Sequence, residues 1–265
     1  TAPLPRVSRG LLRLFSLYAR LYVRRHVHTL RVSGEFAGVA TLGGPCVVYL
    51  NHASWWDPLV CLQLATRCLP GRAAYAPIDA AALQQYRFFA RLGFFGVSRN
   101  SLRGAATFLR TSEAILAQPD TVLWVTPQGR FSDVRERPLR FEGGLGELAA
   151  RWCQRGNQPA SFVPLAIEYP FWHERLPEVL VRWGDPIPVQ PGREIHRSGE
   201  DWTHLFESRL EHTMNLLASD SAQRDPALFQ PLLARQGGVG GTYDLWRRAR
   251  AWLRGGRLDM SHGQL

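Results

Sequence analysis

The stretch CVVYLNHASWWDPLV, residues 46–60, contains an apolar run, a histidine and an aspartate five positions apart, and a proline. The apolar run CVVYL (46–50) follows Gly-Gly-Pro and predicts a short buried strand. Pro58 suits the first turn of a helix, because its fixed φ and missing N–H are compatible with that position. A strand, a loop and a helix in this order predict an α/β unit that delivers His52 to the edge of a sheet, where such proteins build their sites.

Strand-like and helix-like segments alternate along the rest of the chain. Apolar runs predict further strands near 73–76, 94–97, 121–125, 161–169 and 178–184. Helical spacing predicts helices near 10–28, 58–68, 79–92, 101–118, 143–155, 200–218, 225–235 and 242–254. This alternation predicts an α/β fold with a mixed, largely parallel sheet flanked by helices. We divide the chain into an N-terminal helical segment (1–29), an α/β domain (30–220) and a helical tail of the same domain (221–265).

The N-terminal segment has the pattern of an amphipathic basic helix. Its apolar residues recur at helical spacing, and it also carries four arginines: Leu11, Leu14, Phe15, Tyr18, Leu21 and Tyr22, with Arg13, Arg20, Arg24 and Arg25. Such a helix can lie in a membrane interface, or it can pack its apolar stripe on the domain. We predict the membrane-interface helix, and both options stay open for the basic, aromatic segment 243–257. No run of 18 apolar residues exists, so the sequence predicts no spanning helix.

The composition is strongly basic. The formal net charge is +10, and all 32 basic residues are arginine. This charge predicts anionic partners, such as lipid headgroups, an acidic carrier protein or a nucleotide-bearing cofactor, unless it reflects a compositional bias alone. Nucleic acid is also an anion, but the sequence has no recognised nucleic-acid-binding motif, so we predict no nucleic-acid partner.

The cysteines show no C-x-x-C spacing: Cys46, Cys61, Cys68 and Cys153. We interpret them as reduced, partly buried thiols of a protein in the cytoplasm. They predict neither a disulfide framework nor a metal site. The first residues lack a long apolar stretch followed by a small-residue cleavage site, so we expect no signal peptide.

His52 and Asp57 have two interpretations. In the first, Asp57 is the N-cap of the helix at 58–68 and His52 is an ordinary loop residue. In the second, the loop brings the Asp57 carboxylate back to one ring nitrogen of His52, which fixes the tautomer and leaves the other nitrogen free to accept a proton. A carboxylate has two oxygens, so the two roles are compatible, and this motif alone does not decide between them.

Four blocks of the sequence resemble the glycerolipid acyltransferases, the family of 1-acylglycerol-3-phosphate and glycerol-3-phosphate acyltransferases. The first block, NHASWWD (51–57), matches the family pattern N-H-x-x-x-x-D. In the second block, GFFGVSRN (93–100), Arg99 takes the place of the family arginine. The third block, VTPQGRFSD (125–133), resembles F-P-E-G-T-R. The fourth block, FVPLAIEY (162–169), resembles an apolar strand centred on proline.

The resemblance covers roughly residues 30–185 and implies a membrane-associated acyltransferase. In this family the histidine deprotonates an acceptor hydroxyl, which attacks an acyl thioester directly, so His52 is the expected general base and Asp57 its orienter. The implied donor is acyl-CoA or acyl-carrier protein, the implied acceptor is a lysophospholipid such as 1-acylglycerol-3-phosphate, and no cofactor is expected. We expect a peripheral or monotopic protein on the cytoplasmic face of a membrane, in contact with anionic lipid. The blocks imply these substrate-binding residues: Asn51, Ser54, Arg99, Gln128, Gly129, Arg130 and Pro164.

The third block departs from the family pattern. Gln128 stands where the family generally has glutamate, and Arg130-Phe131 stands where Thr-Arg is expected, so the arginine comes one residue early. In the family this block helps to bind the polar head of the acceptor, so a glycolipid or another hydroxylated lipid is an alternative acceptor. Ser54 lacks a surrounding G-x-S-x-G elbow and is interpreted as a loop-stabilising hydroxyl, not as a nucleophile. A basic protein that binds polyanions or membranes without catalysis is the second alternative.

Overall fold

The computed structural model describes residues 4–34, 39 and 41–234. Its α-helices are α1 (Arg9–His26), α2 (Asp57–Cys68), α3 (Ala80–Gln85), α4 (Leu102–Leu116), α5 (Gly144–Arg155) and α6 (Gly199–Gln223). Its strands are β1 (Thr29–Gly34), β2 (Cys46–Leu50), β3 (Ala73–Asp79), β4 (Phe94–Val97), β5 (Thr121–Val125), β6 (Ala160–Glu168), β7 (Val179–Trp183), β8 (Ile187–Val189) and β9 (Gln230–Ala234). Short 3-10 helices span Arg87–Leu92 and Pro226–Leu228.

The strands of the described residues form one sheet in the order β4-β3-β5-β2-β6-β7-β1-β9, and β8 pairs with β6. Strands β2 to β6 run parallel to one another, and helices connect them. Strand β7 turns back antiparallel to β6, β1 lies parallel to β7, and β9 closes that side antiparallel to β1. The prediction of a mixed, largely parallel sheet flanked by helices is confirmed.

The central strand β2 separates two apolar layers, one on each face of the sheet. Its side chains alternate between them, as the two-residue period of a strand requires. Val47 and Tyr49 join the layer that contains α4, α5 and α6, while Val48 and Leu50 join the layer that contains α1 and α2. All residues of β2 are buried, which explains why this strand is a continuous apolar run in the sequence.

The N-terminal helix α1 packs against α2 through a narrow stripe that includes Ala19 and Val23, both buried. A second apolar stripe of α1 is exposed, and its members are Leu14, Leu17, Tyr18 and Leu21. The helix therefore packs on the domain and also presents apolar side chains to its surroundings. None of the described helices is long and apolar enough to cross a membrane.

The tail differs from its prediction. The helix predicted at 225–235 is wrong, because this segment forms a 3-10 turn and then β9, which pairs with the edge of β1. Pro226 and Pro231 lie five positions apart. Proline inside a helix removes a hydrogen bond and clashes with the preceding turn, whereas an edge strand tolerates it. The helix predicted at 242–254 and the basic segment 243–257 lie outside the described residues.

The predicted helix at 79–92 is divided into two pieces. The helix α3 ends at Gln85, and a 3-10 helix continues to Leu92. Gly93 then adopts the left-handed region with φ 101°, which turns the chain into β4. The short strands β1 and β8 have no counterpart in the sequence prediction.

Candidate active site

Three loops meet at one edge of the sheet. Strands β5, β2 and β6 are parallel neighbours, so their carboxyl ends lie together. The loop after β2 carries His52, the loop after β5 carries Gln128, and Tyr169 follows β6 directly. Hydrogen bonds join the first loop to each of the other two.

The imidazole of His52 is held by Asp57. The ring atom Nδ1 lies 2.7 Å from Oδ2 of Asp57, and the backbone N–H of Ser54 donates to the same oxygen at 3.0 Å. The Tyr169 hydroxyl donates to the other oxygen, Oδ1, at 2.5 Å. Asp57 is 1% exposed, whereas the side chain of His52 is 17% exposed. The carboxylate is thus buried with both oxygens engaged, while the imidazole reaches solvent.

This geometry decides between the two interpretations of Asp57. Helix α2 begins at Asp57 itself, and Pro58 lies in its first turn. The N-cap residue is Trp56, whose side chain makes no capping hydrogen bond. Because the Asp57 carboxylate binds His52, Ser54 and Tyr169 instead, the N-cap interpretation is wrong and the orienting contact is present. A negative charge in the first turn is also favourable for the helix dipole.

The arrangement equips His52 to accept a proton. A carboxylate at Nδ1 keeps the ring proton on that nitrogen and leaves the lone pair of Nε2 available. Sequence reasoning missed Tyr169, although its position directly after a predicted strand was a usable signal. Burial, together with the negative charge of Asp57, raises the pKa of Tyr169 well above its ordinary value, so its hydroxyl remains a hydrogen-bond donor.

The third block is tied to the His52 loop by a closed set of hydrogen bonds. The backbone N–H of His52 donates to Gln128 Oε1 at 3.0 Å, and Gln128 Nε2 donates to Ser132 Oγ at 2.6 Å. The backbone N–H of Ser132 then donates to the His52 carbonyl at 2.9 Å. Gln128 is 5% exposed. Its amide therefore holds two loops together, although the sequence resemblance implied substrate binding.

The next three residues of the third block, Gly129, Arg130 and Phe131, have different surroundings. Gly129 has φ 66°, and a Cβ at this position would lie 3.1 Å from Cγ of Glu142, so the turn needs glycine. Arg130 forms an ion pair with Glu136. The ring of Phe131 lies on the imidazole of His52, with 4.1 Å between ring centroids and 35° between ring planes. The aromatic residue, not the arginine, is therefore the direct neighbour of His52.

The side chains of the first-block residues Asn51 and Ser54 both form hydrogen bonds with backbone groups. Asn51 is 1% exposed, donates to the Ile167 carbonyl at 3.0 Å and accepts from the Ile167 N–H at 2.9 Å. The Ser54 hydroxyl accepts from the Trp56 N–H at 3.2 Å. Both side chains thus fix the position of the loop that carries His52.

Arg99 and Pro164 lie apart from this group. Arg99 follows β4, which is three places from β2 in the sheet, about 14 Å at the usual strand spacing. Its Nε lies 3.7 Å from Oδ2 of Asp79, and its side chain is 62% exposed. Pro164 lies opposite Tyr49 in β6 and lines a cavity of about 130 Å³, whose other lining residues come from β1, β7, the segment after β7 and α6.

Replacing Asn51 with leucine is expected to lower the free energy of unfolding by about 2–5 kcal/mol, because two buried backbone groups of Ile167 lose their partner. Urea unfolding followed by tryptophan fluorescence measures the change. Asn215→Leu is the matched control, since Asn215 is exposed on α6 and its side-chain oxygen accepts exposed hydrogen bonds from the Arg137 guanidinium. We expect Asn215→Leu to lower the free energy of unfolding by less than about 1 kcal/mol. Equal losses in the two variants would show that the Asn51 contact is not a stabilising clamp.

The cysteines carry no reactive thiolate at neutral pH. Burial raises the pKa of Cys46 and of Cys68 to about 12, and it also raises the pKa of Cys61 and Cys153. The thiolate is the nucleophilic form, so these residues are poor nucleophiles. Within residues 4–34, 39 and 41–234, no group of three or more His, Cys, Asp and Glu side chains is arranged to hold a metal ion.

Comparisons with known proteins agree on the fold. A family model described as Acyltransferase matches residues 24–168, which include the His52 loop and the third block. No curated protein matches the chain. The chain is similar to the crystal structure of the 1-acyl-sn-glycerophosphate (LPA) acyltransferase, PlsC, from Thermotoga maritima, with 14% sequence identity and a TM-score of 0.51. The match covers 79% of this chain and 80% of that chain. At this identity the similarity is one of fold.

Proposed function

Because this chain belongs to the acyltransferase family, we propose that it transfers a fatty acyl group from a thioester donor to a hydroxyl of a lipid acceptor, with His52 as the general base. One observation carries this proposal. The buried Asp57 carboxylate binds Nδ1 of His52 at 2.7 Å, so the remaining ring nitrogen is available to the substrate. The donor is acyl-CoA or acyl-carrier protein; both are anionic, and the net charge of +10 suits either of them.

The reaction needs no nucleophile from the protein. Nε2 of His52 takes the proton of the acceptor hydroxyl while the hydroxyl oxygen attacks the thioester carbonyl carbon. The C–S bond of the tetrahedral adduct then breaks, the acyl group stays on the acceptor as an ester, and the departing sulfur takes the proton from the imidazolium. Asp57 stabilises the imidazolium, while Tyr169 and the Ser54 N–H hold Asp57 in place. General-base catalysis of this kind contributes about 10²–10⁴-fold.

Two acceptor classes fit the family. The first is a lysophospholipid such as 1-acylglycerol-3-phosphate, which the four sequence blocks support. Arg99 supports it as well, because its exposed guanidinium is of the kind that binds phosphate. The second class is a glycolipid or another uncharged hydroxylated lipid. The contact between Phe131 and His52 favours this class.

The α1 face supports association with a membrane surface. We define this face by the exposed residues Leu14, Leu17, Tyr18, Leu21, Trp55 and Phe88. Tyr22 links it to the His52 loop, with 5.9 Å between its ring centroid and that of Trp55, and Phe15 lies 6.2 Å from Phe88. Arginines of the same helix are also exposed, among them Arg13, Arg20, Arg24 and Arg25. We propose peripheral binding to the anionic, cytoplasmic side of a membrane, which brings lipid acceptors to the loop that carries His52.

Changing Leu14, Leu17 and Leu21 together to serine is expected to lower binding to anionic vesicles by at least about tenfold, since each buried leucine side chain contributes about 1.5–3 kcal/mol. Co-sedimentation with phosphatidylserine-containing vesicles measures the effect. The matched control changes three exposed apolar residues elsewhere, Leu102, Ile195 and Leu228. Equal binding by the two triple variants would remove the α1 face as the membrane contact.

Product analysis tests the proposed activity. The protein is incubated with acyl-CoA or acyl-carrier protein and with a panel of lysophospholipids and glycolipids, and the products are read by mass. We expect a new ester on one acceptor class, with one thiol released for each ester formed. A folded protein that binds vesicles but forms no ester with any pair would support the non-catalytic alternative.

A further inference from the structure

The aromatic ring of Phe131 covers part of the proposed base. Its centroid lies 4.1 Å from that of the His52 imidazole, and Phe131 is 57% exposed. The imidazole itself is mostly enclosed, with a side-chain exposure of 17%. A substrate hydroxyl that reaches His52 on the side of this ring brings its neighbouring atoms against Phe131.

The position of Phe131 is built into the fold. Gly129, in the left-handed conformation, donates its N–H to the Thr126 carbonyl at 3.1 Å and closes a turn after β5. On the other side of Phe131, the Ser132 N–H donates to the His52 carbonyl at 2.9 Å. Gln128 adds the bond from the His52 N–H. Anchored residues on both sides thus set the ring against the imidazole.

The charges around this ring are unsuited to a phosphate. The charge of Arg130 is offset by its ion-pair partner Glu136, and the neutral amide of Gln128 is used within the protein. Among the residues that the structure describes, the carboxylate of Asp57 is the charged group bound to His52. The face of a phenyl ring is also electronegative, so it disfavours an anion and favours C–H groups.

The position of the phosphate in a lysophospholipid determines whether it meets the surroundings of His52. In 1-acylglycerol-3-phosphate the free hydroxyl and the phosphate ester are on neighbouring carbon atoms, so the phosphate enters with the hydroxyl. Beside His52 it would meet the phenyl face, with the negative charge of the buried Asp57 carboxylate behind the imidazole. Arg99, the other arginine of the sequence blocks, follows a strand three places away.

We propose that Phe131 selects an uncharged acceptor, in which the reacting hydroxyl belongs to a sugar ring or a similar polyol of a glycolipid. The C–H face of such a group packs on the phenyl ring while one hydroxyl reaches Nε2 of His52. This inference rests on the proposed function and names its acceptor class. Phe131 is then a specificity-determining residue of the acceptor site.

The test compares three acceptors with one acyl thioester donor. They are an alkyl glucoside, a monoacylglycerol and the corresponding 1-acylglycerol-3-phosphate. For the wild type we expect kcat/KM to be at least about tenfold higher with the glucoside than with the phosphate, a difference of about 1.4 kcal/mol. Phe131→Arg is expected to shift this ratio towards the phosphate by at least about tenfold. Phe131→Leu is expected to lower kcat/KM for the glucoside several-fold and to spare the monoacylglycerol.

The control variant is Ile195→Arg, which adds the same charge at an exposed position outside the sequence blocks, and its acceptor ratio is expected to equal that of the wild type. A wild type that prefers the phosphate, with a ratio that Phe131→Arg leaves unchanged, would overturn the inference but not the acyltransferase activity. If no acceptor is acylated, the proposed function fails. Thermal shift with octyl glucoside and octyl phosphate then decides the inference by binding alone: stabilisation by the phosphate and not by the glucoside overturns it, and the reverse supports it.

Discussion

Replacing His52 with alanine is expected to lower the rate of acyl transfer by about 10²–10⁴-fold, the usual contribution of a positioned general base. Without the imidazole, the base that is paired with Asp57 is lost, and the proton of the acceptor hydroxyl has no acceptor at this place. The fold is expected to survive, because Asp57 keeps its bonds from the Ser54 N–H and the Tyr169 hydroxyl. The backbone bonds from residue 52 to Gln128 and Ser132 also remain, since they do not involve the imidazole.

Initial rates of ester formation, with donor and acceptor both saturating, measure this loss as a change in kcat. His204→Ala is the matched control, because His204 also contacts carboxylates but is 61% exposed on α6. Its rate is expected to stay within about twofold of the wild-type rate. A His52→Ala protein that is folded and fully active would remove His52 from the mechanism.

Replacing Asp57 with asparagine is expected to lower kcat by about 10²–10⁴-fold as well, for a different reason. The Asp57 carboxylate accepts from donors on both of its oxygens, namely His52 and the Ser54 N–H on Oδ2 and Tyr169 on Oδ1. An amide has only one oxygen, so its NH₂ group must face one of these donors. The Ser54 N–H can only donate, whereas the Tyr169 hydroxyl can turn and accept, so the NH₂ group faces Tyr169. The neutral amide then no longer stabilises the imidazolium that forms when His52 takes the proton.

The separation of kcat from KM identifies this effect. We expect kcat to fall while the donor KM stays within a few-fold, because Asp57 is buried behind the imidazole. Asp220→Asn is the control. Asp220 is also a partly buried carboxylate, but its partner is Arg182 of β7 and not His52. A fall in thermal stability with unchanged kcat would mean that Asp57 has only a structural role.

Local patterns in the sequence were sufficient to predict the central sheet and the first loop of the site. β2, β5 and β6 are buried on both faces, so each is a continuous apolar run that is recognisable without its neighbours. His52 and Asp57 belong to one short loop, and their contact needs only that the loop turn back before α2.

The contacts that complete the site depend on strand register, which local patterns do not specify. Tyr169 reaches Asp57 across 112 positions, because β6 pairs with β2 and ends beside it. The clamp between Asn51 and Ile167 spans 116 positions for the same reason. The position of Phe131 on His52 also arises only after β5 and β2 pair.

In the tail, local patterns also fail to predict the secondary structure. Residues 230–234 have a local composition that permits a helix or a strand. Their pairing with the open edge of β1, together with Pro231, selects the strand. Strand pairing of this kind is a tertiary interaction, so it cannot be predicted from the propensity of a short segment.

Intact-protein mass spectrometry tests most directly the central claim that the acyl group passes from thioester to lipid hydroxyl without a protein-bound intermediate. The wild-type protein is incubated first with each acyl thioester alone and then with the acceptor panel. We predict an unchanged protein mass in the first step, and in the second step an amount of ester equal to the thiol released. A protein that gains one acyl group from the donor alone, and loses it when acceptor is added, would contradict the claim and place a nucleophile in the chain.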